Sequence, residues 1–90
     1  MKAYFNKFEI EMTKEQAYSV SHQGQCDNDV EILLQNPKIK RQLRKISDFD
    51  LAAELKEYGA WDTEELLNRR DNENRILWIA GGNIIDELNN

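Results

Sequence analysis

The chain contains one cysteine, one histidine and one proline among 90 residues, and only four glycines. One cysteine excludes a disulfide within the chain and fits a reducing compartment. A structural zinc site takes four ligands, usually cysteine and histidine, and the chain has one of each. No cofactor and no metal is therefore expected. No apolar run approaches the roughly 20 residues needed to cross a bilayer, so no membrane association is expected. Residues 1–12 lack the continuous apolar stretch and small-residue cleavage site of a signal peptide. Together these absences point to a protein of the cytoplasm.

The two rare side chains lie close together, in "SHQGQCDND" (residues 21–29). His22 and Cys26 are four apart, near a helix start, where a thiol can be activated. Yet Cys26 shares a helical face with Val30, Leu33 and Leu34, and no orienting group accompanies the pair. A small buried cysteine is the expected reading, with Gly24 permitting a bend between two helices. No catalytic residue is assigned, and no enzyme is expected.

What the chain has in quantity is charge. Charged residues make up 32% and apolar residues 40%, a globular balance for one domain spanning 1–90. The net charge is −5 but unevenly laid out. Residues 37–46 carry five cations and no acid, whereas 47–67 carry seven acids and one lysine.

Residues 2–12 alternate apolar and polar positions, with Tyr4, Phe8, Ile10 and Met12 on one side. One strand is expected. A hairpin turning at Asn6-Lys7 is disfavoured by the lack of a type I′ dipeptide. A lone strand must pair with something, a second copy of the chain being one option. Thr13 and Gln16 are spaced as a capping box for a helix ending near Ser21. A second helix starts near Asp27 or Asn28. Asn36-Pro37 ends it and opens a third, with Pro37 in the first turn. Ile39, Leu43 and Ile46 fall on one face of that third helix, and Lys38, Lys40, Arg41, Arg44 and Lys45 on the opposite half. Ser47 caps a fourth helix stapled by Ile46 and Leu51, with Leu51, Leu55 and Tyr58 buried and Gly59 as its stop.

"GAWDTEELL" reads as the start of the last helix, with Asp62 as cap, Glu65 at the capping-box position and Trp61 stapled to Leu66. That helix is expected over Thr63 to Leu88. Leu66, Leu67, Leu77, Trp78, Ile84, Ile85 and Leu88 share one face, and Ile76, Ile79 and Ala80 add a second. Gly81-Gly82 either let another element approach closely or break the helix, with Asn83 capping a final turn. The fold class is mainly α: about five helices packed around a long C-terminal helix, preceded by one short β-strand.

Two polar residues, Arg70 and Asn74, interrupt the apolar face of the last helix. They either bond carbonyls or an acid of another segment, or recognise a carboxylate or phosphate.

"SHQGQCDNDVEILL", "PKIKRQL", "EYGAWDTEELLNRR" and "NRILWIAGGNIIDE" together resemble a group of small uncharacterised proteins of phages, prophages and plasmids. The resemblance covers most of residues 13–87. It implies a mobile-element origin and residence in the cytoplasm of a bacterial host, and it implies no activity.

The expected function is a non-enzymatic protein-binding module acting on a host or phage protein, such as an inhibitor of a host enzyme or defence complex. Asp48, Asp50, Glu54, Glu57, Asp62 and Glu64 would form an acidic surface competing for a basic groove, with Arg70 and Asn74 as further candidates. The alternative is a nucleic-acid-binding regulator using Lys38, Lys40, Arg41, Arg44 and Lys45. A homodimer through residues 2–12 or the C-terminal helix is the expected oligomer, if one forms.

Overall fold

The computed structural model describes residues 2–5, 8–21, 27–57, 64, 66 and 68–90, with backbone alone at 2–5, 8 and 27–30. Strands β1 (Lys2–Phe5) and β2 (Phe8–Glu11) are followed by helices α1 (Lys14–Ser21), α2 (Asp27–Leu34), α3 (Pro37–Arg44), α4 (Asp48–Glu57) and α5 (Arg69–Leu88). The mainly α fold with a long C-terminal helix is as expected.

The N-terminal β structure differs from the single strand expected over 2–12. It is an antiparallel pair in which Lys2 faces Glu11 and Phe5 faces Phe8. Asn6 and Lys7 lie outside the described residues. A period-two pattern survives a reversal of direction, so alternation alone does not distinguish one strand from two. Ile10 and Met12 are buried while Glu9 is exposed, so the alternation itself holds. The strands pair with each other, which removes the reason for seeking a partner copy through residues 2–12. The far edge of β2 is also engaged. Gln42 of α3 accepts from the Glu11 N–H (2.6 Å) and donates to the Glu11 carbonyl (2.8 Å). One carboxamide thus stands in for a strand's donor and acceptor.

Local sequence sets the helix starts. Thr13 and Gln16 form the reciprocal capping box, at 2.8 and 3.1 Å. The Asn36 side chain accepts from the Lys38 and Ile39 N–H groups, with Pro37 just inside. The Ser47 hydroxyl accepts from the Asp50 N–H.

The last helix begins at Arg69 rather than Thr63. Asn68 is extended (φ −99°, ψ 112°) and its side chain accepts from the Asp71 N–H, so it is the N-cap. Trp61, Asp62, Thr63, Glu65 and Leu67, which carry the expected start, lie outside the described residues, as do Tyr58 and Gly59. The helix runs unbroken through Gly81 and Gly82 to Leu88. Gly81 is where α1 crosses. A Cβ there would lie 2.7 Å from Val20 Cγ2 and 3.0 Å from the Ala17 carbonyl oxygen. Of the two roles weighed for the glycines, close approach is the one Gly81 serves.

Helix α5 is the centre of the core: α1, α4 and β1 all pack on it, while α2 lies against α1 and α3, and α3 against β2. Ile76, Leu77, Ala80 and Ile84 are fully buried, joined by Ile10, Ala17, Ile39, Leu43, Leu51 and Leu55. Trp78, placed on the buried face by sequence, is instead 53% exposed, and Leu88 is exposed too. The buried stripe centres on Leu77, Gly81 and Ile84, one residue and about 100° away from Trp78.

Candidate functional site

The acidic set does not form one surface. Glu54 is only 7% exposed and belongs to the buried side of α4, which corrects its place among the surface acids. The reason was present in the sequence: 51, 54 and 55 follow the i, i+3, i+4 spacing of one helical face. Asp50 is half-buried, Glu57 and Glu64 are exposed, and Asp62 lies outside the described residues. The Asp48 side chain is 79% exposed and accepts a 2.6 Å hydrogen bond from Arg69 Nη1.

Between Asp48 and Asp50 stands Phe49, 81% exposed. It lies in the first turn of α4, about 200° around the helix from the fully buried Leu51. Ala53, one turn on, is exposed as well. An aromatic ring held out of the core beside a carboxylate was not singled out by the sequence reading. The signal was its phase: Phe49 falls off the Leu51–Leu55 stripe.

The basic side chains behave as the helical wheel predicts. Lys38, Lys40, Arg41, Arg44 and Lys45 are all exposed, opposite the buried Ile39, Leu43 and Ile46. Lys38 Nζ is 2.9 Å from Glu11 Oε1 on β2. The other four pair with no acid among the described residues.

Arg70 and Asn74 separate. Arg70 is on the surface, its side chain 60% exposed, and forms an ion pair with Glu31 of α2. Asn74 is half-buried, and its Oδ1 finds no hydrogen-bond partner among the described residues. The buried polar residue of α5 is Asn72, whose Nδ2 donates to the Leu66 carbonyl at 2.9 Å and whose Oδ1 accepts from Arg75 Nη1 at 3.2 Å.

Arg70 thus bonds an acid of another segment, one of the contacts expected of it, while the carbonyl contacts are made by its neighbour. Arg69 donates to the Leu43 and Ile46 carbonyls, both at 2.9 Å, in addition to Asp48. Its guanidinium sits at the C-terminal end of α3, where the helix dipole favours a cation, and shares the Leu43 carbonyl with the Ile46 N–H. It joins α3, α4 and α5 at one corner.

His22 and Cys26 lie outside the described residues. Among the described residues no cluster of three His, Cys, Asp or Glu side chains could hold a metal ion. No described helix is long and apolar enough to cross a membrane. Comparison with protein families, curated proteins and solved structures gives no match.

Proposed function

We propose that the chain is a non-catalytic protein-binding module of mobile-element origin, which blocks a host enzyme or defence complex. The observation that carries this reading is Phe49, 81% exposed at the start of α4 with Asp48 and Asp50 on either side. It is more exposed than Ile32 (63%) or Trp78 (53%), the next large apolar side chains on the described surface. In an interface it is the kind of anchor that supplies much of the binding energy. The flanking carboxylates suit a partner whose apolar pocket is rimmed by basic residues. They would raise the encounter rate and set register, while the ring supplies affinity. The mobile-element origin rests on the resemblance of residues 13–87 and on nothing in the geometry.

The test is affinity purification from the bacterial host with three proteins: the native chain, Phe49→Ala and Asp48→Asn/Asp50→Asn. The native chain should retain a stoichiometric partner. Phe49→Ala should weaken that binding by about 30-fold or more, as loss of an anchor worth about 2 kcal/mol does. The double asparagine variant should bind more slowly, with a smaller dependence on salt. Recovery of no stoichiometric partner, or full binding by Phe49→Ala, would refute the reading.

A further inference from the structure

We propose that the outward face of α3 binds the phosphodiester backbone of duplex nucleic acid. Five cations occupy residues 38–45 without an intervening acid, in a chain whose net charge is −5. All five side chains are exposed. The first and last are seven residues apart, or about 10 Å along the helix. One strand of a duplex presents about three phosphates over that length.

The face is not uniform. On one flank a cavity of about 450 Å³ is lined by Lys38, Arg41 and Lys45 but also by Glu9 and Glu11. On the other flank a cavity of about 420 Å³ is lined by Gln35, Pro37, Lys40, Arg41 and Arg44, with no carboxylate. The acid-free flank is the seat for a phosphate. Two guanidiniums and an ammonium converge there, and none is committed to an acid of the described residues. The remaining acids of the molecule repel a polyanion at long range. Physiological salt screens charges over about 8 Å, so the local field of this face governs contact.

The chemistry of the face chooses among polyanions. The anchors of a protein interface sit in well-packed, fully desolvated pockets, whereas these cations are open to solvent, and a membrane-surface helix must turn its apolar side outward. The apolar side of α3, Ile39 and Leu43 with Ile46 just beyond, is buried in the core. Its outward side offers charge alone. Single-stranded nucleic acid is gripped by stacking its bases on aromatic rings, and residues 37–46 contain none. A regularly spaced duplex backbone is the partner that charge alone recognises, without preference for sequence.

The experiment is fluorescence anisotropy of a labelled 20-base-pair DNA duplex of arbitrary sequence, titrated with the full chain. Binding should be in the micromolar range or weaker, and should fall about 40-fold between 50 and 200 mM salt if three phosphates are neutralised. Lys40→Gln/Arg41→Gln/Arg44→Gln should abolish both the binding and its salt dependence. Lys14→Gln/Lys56→Gln, which removes exposed cations from other helices, should change neither. Arg44→Gln alone should lower the slope of log affinity against log salt by about 0.9, and Arg44→Lys should restore it. Circular dichroism of each variant checks that the fold is retained. Absence of binding at 50 mM salt, binding that survives the triple change, or equal binding by phosphatidylserine vesicles would overturn the proposal. Tighter binding to the corresponding single strand would overturn it as well.

Discussion

Gly81 of α5 lies so close to Val20 of α1 that a methyl group at 81 would sit 2.7 Å from Val20 Cγ2, well inside van der Waals contact. The Ala17 carbonyl oxygen, 3.0 Å from the same point, closes the other side. Valine in a helix has one strongly preferred rotamer, and a backbone carbonyl moves only with its helix. Gly81→Ala must therefore displace α1. The helix-propensity gain of about 1 kcal/mol is outweighed by overpacking of about 1–3 kcal/mol. The net expectation is a loss of up to about 2 kcal/mol by urea denaturation. Gly82 meets nothing within 4 Å. Gly82→Ala should accordingly gain about 0.5–1 kcal/mol. The opposite signs of two adjacent, identical substitutions make the pair a test of the α1–α5 crossing.

Arg69 and Arg70 supply a second contrast. Arg69 satisfies two backbone carbonyls at the end of α3, and its side chain is two-thirds covered. Arg69→Ala leaves those carbonyls without this donor and should cost about 2 kcal/mol, given about 1.5–3 kcal/mol for a hydrogen bond to a charged group and partial solvent access. Arg69→Lys should recover little of this, because an ammonium lacks the fork that reaches both carbonyls. Arg70 holds an exposed pair with Glu31, and Arg70→Ala should cost less than about 0.5 kcal/mol. Thermal melts of the three variants at equal salt decide the matter.

How far these features were legible in the sequence depends on their range. Caps are local chemistry, and Thr13/Gln16, Asn36-Pro37 and Ser47 were each readable from three or four residues. So was the wheel of α3, because eight residues with a strict division of charge leave one way to turn. The start of α5 is ambiguous in the sequence because two cap signatures, Asp62 with Glu65 and Asn68 with Asp71, stand six residues apart. Propensity does not rank them. The choice between Arg69 and Arg70, and the exposure of Trp78, turn on a 100° rotation of α5 about its axis. Packing against α1 fixes that rotation, through contacts some 60 residues apart in the chain. The engagement of Gln42 with β2 is likewise invisible locally: its two hydrogen bonds span 31 residues.

That engagement yields its own prediction. Gln42→Leu keeps the approximate volume but loses both a donor and an acceptor, and leaves the Glu11 N–H and carbonyl without their partner on this edge. A loss of about 1–3 kcal/mol is expected. Because β2 packs on α3, the loss should be local before it is global. Hydrogen exchange at the Glu11 amide should accelerate in Gln42→Leu at a temperature where the α5 amides remain protected. Equal acceleration of both would show that the hairpin and the helical core open together.

Helix α4 carries the comparison on which the functional reading turns. Phe49 and Leu51 are two residues apart, yet one is 81% exposed and the other fully buried. Leu51→Ala opens a cavity under α4 and should cost about 2–5 kcal/mol. Phe49→Ala removes a ring that contributes little to the core, and alanine is the better helix former, so stability should stay within about 0.5 kcal/mol of the native chain. Guanidinium unfolding of the two variants measures this directly. If Phe49→Ala is as stable as the native protein and has lost its partner, the ring serves recognition and not folding. If it is as damaging as Leu51→Ala, the ring is part of the core, and the anchor on which the proposed interface depends does not exist.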